Sequence, residues 1–194
     1  MEFQDVVRRR RMVRKFTDEP VADESLQRIL RNALRGPSAG FSQGQGFLVL
    51  TGEELRRFWE FAASWAPGTV TTAPVAIVPL SVKNAYLDRY AKPDKGFAQG
   101  DDSWWRVPYW DVDTGMATML ILQTAVDEGL GAVFFGLAPE SVELLHTEFG
   151  VPGDHDPIGV IALGHSDEPG PSPGSSATKI ARRDFSEVIR FGHW

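Results

Sequence analysis

The chain has 194 residues, 42% hydrophobic and 24% charged, with 26 acidic against 20 basic side chains and a net charge of −6. This is one globular domain's worth of sequence; its acidic balance argues against a nucleic-acid binder, and no apolar run reaches the roughly 20 residues of a membrane helix. Cysteine is absent, which excludes disulfides, thiolate metal sites, Fe–S clusters and cysteine nucleophiles and fits a cytoplasmic protein; the polar, acidic start Met1-Glu2-Phe3-Gln4-Asp5 does not read as a secretory signal.

Phe3, Val6 and Val7 lie at helical spacing and predict a short helix from Glu2 to Arg11. It runs into a cationic segment in which six of the eight residues from Arg8 to Lys15 are basic. Such clustering costs self-repulsion, and guanidinium forks match phosphate oxygens two at a time, so an anionic ligand is one reading. A solvated basic helix end is another, and a nucleic-acid arm a third. Pro20 breaks the helical pattern. Asp23 is placed to cap a second helix with Leu26, Ile29, Leu30, Ala33 and Leu34 along one face, stopped by Gly36-Pro37. The Gly/Ser-rich loop 36–46 would let a ligand approach the main chain closely, but it fits neither the G-x-G-x-x-G fingerprint nor a P-loop, and an ordinary long turn is the alternative. Phe47 to Thr51 reads as a buried strand.

Arg10-Arg11-Met12-Val13-Arg14-Lys15-Phe16, Pro20-Val21 and Pro37-Ser38-Ala39-Gly40-Phe41-Ser42-Gln43 ahead of a strand resemble the FMN-dependent nitroreductase family. The resemblance implies that Arg10, Arg11, Arg14 and the residue at position 12 meet the flavin phosphate. It also implies that Pro37, Ser38, Ala39, Phe41 and Gln43 lie along the ribityl chain and ring of an FMN shared across a dimer. The family usually has Ser at Met12 and Asn at Phe41, and Gln-Pro-Trp where Gln43-Gly44-Gln45 stand. One phosphate-binding hydroxyl and one polar ribityl contact are therefore replaced, which marks a divergent branch.

Leu55, Phe58, Trp59 and Ala62 give a third amphipathic helix. Val75 to Leu80 follows as a strand whose Pro79 points to an edge or a strand end. Lys83 to Ala91 is a further helix candidate. The stretch 92–108 carries Trp104-Trp105, read either as packing on this domain or a second subunit, or as a lid over a planar substrate stacked on flavin. Asp111 to Glu128 is apolar nearly all round, which predicts a helix buried on every side in a core shared with a second subunit. Gly129-Leu130-Gly131 and the strand to Gly136 are similar to the family's segment whose backbone faces flavin N5 and O4, implying cofactor contacts at Phe134, Phe135 and Gly136. A helix from Pro139 to Phe149 and a strand from Ile158 to Gly164 precede a Pro/Gly/Ser-rich linker, 167–178. By the same resemblance Arg182, helped by Lys179, reaches the phosphate. A short tail helix, Asp184 to Phe191, reads as an arm packed on a neighbour.

The four histidines show no metal-ligand spacing, and Ser42 lies in no nucleophile elbow. Asp101-Asp102 and Asp111/Asp113 are candidate acid–base pairs or simply capping and exposed carboxylates. The expected fold is α+β: a central mixed, mostly antiparallel sheet of four or five strands flanked by helices, in an intertwined homodimer with FMN at the subunit interface. The implied activity passes hydride from NAD(P)H through flavin to a small planar acceptor such as a nitroaromatic or quinone. Alternatives keep the fold with specialised chemistry, as a metabolite dehydrogenase or flavin-fragmenting enzyme, or make the protein a non-catalytic flavin carrier.

Overall fold

The computed structural model describes residues 1–171 and 176–194. Five strands form one sheet: β1 (Gln45–Leu50), β2 (Val75–Ser81), β3 (Gly131–Phe135), β4 (Asp156–Pro157) and β5 (Val160–Gly164), in the order β1-β2-β5-β3 with β4 also on β2. Every strand pairing is antiparallel; the parallel element is a single bridge from Met12 to Ala132. The helices are α1 (Phe3–Arg9), α2 (Asp23–Ala33), α3 (Gly52–Ala62), α4 (Lys83–Tyr90), α5 (Tyr109–Asp127) and α6 (Glu140–Phe149), followed by two four-residue turns, α7 (Ser176–Lys179) and α8 (Phe185–Val188). None is long and apolar enough to cross a membrane.

The sheet divides the core in two, and the strands sort their side chains with a period of two. Ala76, Val78 and Leu80 of β2, Val133 of β3 and Val160 and Ala162 of β5 pack with Leu55, Phe58, Trp59 and Ala62 of α3 and Leu145 of α6. Val75 and Ile77, Ala132, and Ile161 and Leu163 face the other way, onto Ile29 and Ala33 of α2 and Ile121, Leu122 and Ala125 of α5. All seven residues of β2 are buried, so this strand reads as an unbroken apolar run.

Two expectations change. Pro79 sits in an internal strand. β2 pairs with β5 through Ile77 and with β4 from Leu80 onward, so Pro79 falls where the partner changes and its missing N–H is not needed; its carbonyl accepts from Ile158 N–H at 3.0 Å. Asp23 is the first residue of α2 and makes no capping bond, since Ala22 holds the cap position; with Glu24 it places negative charge at the positive helix end instead. In this chain α5 is buried on one side, while Tyr109, Met116 and Met119 are exposed on another. Beside it, Phe3 and Val6 of α1 and Leu120 of α5 line an open cavity of about 360 Å³. The linker expected over 167–178 falls partly on 172–175, outside the described residues.

Candidate functional site

The basic segment is extended from Arg10 onward and runs across the ends of β3 and β5. Met12 bridges Ala132, Val13 N–H donates to the Ala132 carbonyl at 3.0 Å, and Phe16 bridges Ser166. Its charges divide into two groups. Arg8 pairs with Asp5, Lys15 with Asp167 at 2.5 Å, and Arg11 with Glu168 at 2.6 Å. Arg9, Arg10 and Arg14 have no carboxylate partner among the described residues; Arg14 Nη1 reaches only the Met12 carbonyl, at 3.4 Å.

Glu168 organises this division. Its side chain is 10% exposed, one carboxylate oxygen takes the Arg11 guanidinium, and the other accepts the Arg14 backbone N–H at 2.7 Å. Arg11 also donates to the Glu168 carbonyl at 2.8 Å and to Ser166 Oγ at 3.1 Å. Arg11 is thereby committed within the chain. Met12, in place of the family's usual Ser, packs against both halves of the core. Glu168 lies 157 positions from Arg11, and only the acidic Asp167-Glu168 pair beside β5 hinted at it.

At the C-terminal end of β3, Phe135 packs on Trp65 with ring centroids 6.1 Å apart. Phe134 lies so close to Gly159 that a Cβ there would sit 2.4 Å from its ring. Gly136 is exposed, and a Cβ built on it meets no atom within 4 Å, so its backbone is open to a ligand.

Loop 36–44 belongs to the opposite edge of the sheet, ahead of β1. Gly40, Phe41 and Gln43 all adopt positive φ (62°, 55° and 52°), a conformation that costs the two non-glycine residues about 1–3 kcal/mol each. Phe41 is 74% exposed. Inside the loop the Ser38 carbonyl accepts from Phe41 N–H at 2.9 Å and Ser38 Oγ from Gln43 N–H at 3.0 Å, so the hydroxyl shapes the turn. Pro37 is exposed at its start. From α4, Arg89 Nε donates to the Gly40 carbonyl at 2.8 Å and the Tyr90 ring covers Gly40. Gly44 is pressed against Tyr86, where a Cβ would lie 2.5 Å from the ring. From α5, Asp113 Oδ2 accepts both the Ala39 N–H and the Tyr86 hydroxyl, each at 2.8 Å. Asp111 accepts from Ser81 Oγ at 2.6 Å. These two aspartates are hydrogen-bonded supports of the fold.

Trp105 packs among Tyr86, Tyr90, Tyr109 and Trp110, with Tyr90 nearest at 4.6 Å between centroids. Trp104 leans on Tyr90 and Phe97 yet remains 59% exposed. Both tryptophans therefore rest on the helix that clamps the loop. Lys179 and Arg182 lie in the arm from Ser176 to Trp194, where every residue is exposed.

One chain thus gathers the basic segment and Phe134–Gly136 at the β3 edge, and Pro37–Gln43 at the β1 edge. Three inter-strand steps, about 14 Å, separate these edges.

The model of the Nitroreductase family matches residues 7–165. A Methanothermobacter thermautotrophicus protein provisionally named NADH dehydrogenase/NAD(P)H nitroreductase is 31% identical over 179 residues, covering 90% of this chain and 81% of that one. A nitroreductase family protein from Clostridium difficile 630 shares the fold with a TM-score of 0.74 at 22% identity, over 100% of both chains. A Desulfovibrio desulfuricans structure, provisionally named a nitroreductase and in complex with FMN, does so with a TM-score of 0.73 at 24% identity, covering 100% and 98%.

Proposed function

The chain belongs to the nitroreductase family, and on that premise we propose that it is an FMN-dependent oxidoreductase. It takes hydride from NAD(P)H and passes reducing equivalents to a nitroaromatic, a quinone or a related small acceptor, in the cytoplasm. The observation that carries the proposal is the state of the basic segment: among the described residues Arg10 and Arg14, like Arg9, have no carboxylate partner, while Arg8, Arg11 and Lys15 are each paired with one. Unpaired cations held on a fixed backbone are a ready phosphate site. The donor set and the open backbone at Gly136 fit FMN, and a relative that binds FMN has this fold.

In this reading Arg10 and Arg14 hold the phosphate, with Arg182 and Lys179 brought in by the arm, while Arg11 serves Glu168. Pro37, Ser38, Ala39, Phe41 and Gln43 line the ribityl chain and ring, and the backbone from Phe134 to Gly136 presents N–H groups to the ring edge. FMN, when bound, supplies the hydride chemistry. The chain's own residues orient it, exclude water and stabilise negative charge on its reduced ring. The two sheet edges favour a homodimer in which a second copy completes each site. Trp104 is the residue we assign to the acceptor side, since its exposed indole stands beside the loop.

An absorbance spectrum of the purified protein, followed by heat release and chromatography of any chromophore, tests the proposal. About one FMN per chain, with NADH or NADPH oxidation once a nitroaromatic or quinone is added, is the expected result. A protein that neither carries nor takes up FMN ends it.

A further inference from the structure

Two non-glycine residues in the left-handed region persist only where the surroundings over-determine them. Loop 36–44 is held on its α4 side by Arg89, Tyr90 and Tyr86, and its internal bonds all return to Ser38 or Ala39. Among the described residues, the hydrogen bond that ties that pivot to the core is the Ala39 N–H on Asp113 Oδ2, while the loop's far end is held by Val82 N–H donating to the Gly44 carbonyl at 2.9 Å. Asp113 is 4% exposed. A carboxylate that deep needs its lone pairs supplied with donors. Tyr86, buried on α4, supplies the second one to the same oxygen. Burial first, and then the bond to Asp113, push the Tyr86 phenol well above its usual range, in keeping with its role as a donor.

We propose that Asp113 is the positioning residue of the flavin loop. Its carboxylate couples α5 and α4 to the Ala39 amide and so sets the backbone course of Phe41 and Gln43 before any ligand binds. The inference rests on the flavin reading for its consequence, and on the loop's own geometry for its substance. Asp113 touches no reacting atom in this account; it acts through Ala39. The carboxylate is suited to the task because one oxygen, with two lone pairs, takes two donors from different elements and fixes their separation. Both members of the Asp111/Asp113 pair are engaged in hydrogen bonds within the fold, Asp111 with Ser81 and Asp113 with the loop and Tyr86.

The test is amide hydrogen exchange by NMR on the full chain, with and without added FMN, alongside FMN affinity. In Asp113→Ala the amides of Ala39, Phe41 and Gln43 should exchange at least about tenfold faster, and FMN should bind about tenfold more weakly, the scale of a lost buried hydrogen bond. Asp113→Asn keeps an acceptor oxygen and should return both quantities to within about threefold of the parent. Ser81→Ala removes the neighbouring bond on the same helix without touching the loop; it should lower Tm and leave loop exchange as it was.

Should Asp113→Ala fail to fold, Ala39→Pro deletes the donor from the other side. Ser38 at φ −142° and ψ 141° suits a residue before proline, and position 39 opens a helical turn. Faster exchange at Phe41 and Gln43 is expected there too. Unchanged loop exchange in the variant that folds, or equal acceleration in Ser81→Ala, overturns the proposal. A parent protein that takes no FMN sinks the flavin reading instead, and the exchange measurement without FMN still decides the role of Asp113.

Discussion

Arg11 and Arg14 stand three positions apart in a run of like charges and are put to opposite uses. Arg11 is consumed by Glu168, while Arg14 lends Glu168 only its backbone N–H and its guanidinium meets no carboxylate among the described residues, only the Met12 carbonyl at 3.4 Å. Arg10→Ala and Arg14→Ala should therefore weaken FMN about 10- to 100-fold, the range of a lost charge-assisted hydrogen bond. Riboflavin, which lacks the phosphate, should bind both variants as it binds the parent, as a pair of fluorescence titrations can establish. Arg11→Ala should act on stability, by about 1–3 kcal/mol, because it strands a largely buried carboxylate; denaturant melts measure this. Equal losses of FMN affinity in all three variants would contradict the division of the charges.

At the scale of elements, two junctions invite measurement. Glu128, just past α5, takes Arg28 in two hydrogen bonds of 2.7 and 2.8 Å and Ser25 in a third of 2.7 Å, joining α5 to α2. Arg28 first, then Ser25, pull its carboxyl from the ordinary 4.5 down to about 2. The folded value is the lower one, so the stability this group contributes is full above 4.5 and is lost as pH falls toward 2. Thermal melts of the parent and of Glu128→Gln should differ most above pH 5 and converge as the pH approaches 2. Gly44→Ala should cost about 1–3 kcal/mol, because the new methyl would lie 2.5 Å from Tyr86.

The helices and strands themselves were legible. Leu55, Phe58, Trp59 and Ala62 recur at 3.6-residue spacing, and all four are buried in α3. Pro79 was misleading because its position depends on which strand lies opposite, and register is a property of the pairing. For the candidate site, the residues alone pointed to an anion on the basic segment, and the resemblance supplied the cofactor. Glu168 and Asp113 contact residues far away in sequence, and no local pattern records that Arg11 meets one or Ala39 the other.

At the scale of the whole molecule, the single chain leaves apolar surface uncovered. Tyr109, Met116 and Met119 on α5 and Phe3 and Val7 on α1 are exposed, and so are Ile180, Phe185, Phe191 and Trp194 in the arm. Together with the two sheet edges, these surfaces fit a second copy, and a charge placed among them should be costly. The double variant Met116→Asp, Met119→Asp should sediment as a monomer and release its FMN. A tight dimer in that variant would separate the α5 face from assembly. The packing of Trp65 on Phe135 has a consequence of another kind. With a flavin ring against Phe134–Gly136, as proposed, an indole packed on Phe135 would be close enough for excitation-energy transfer to it. Trp65 should glow in the stripped protein and darken as cofactor returns, making the molecule an optical gauge of its own loading.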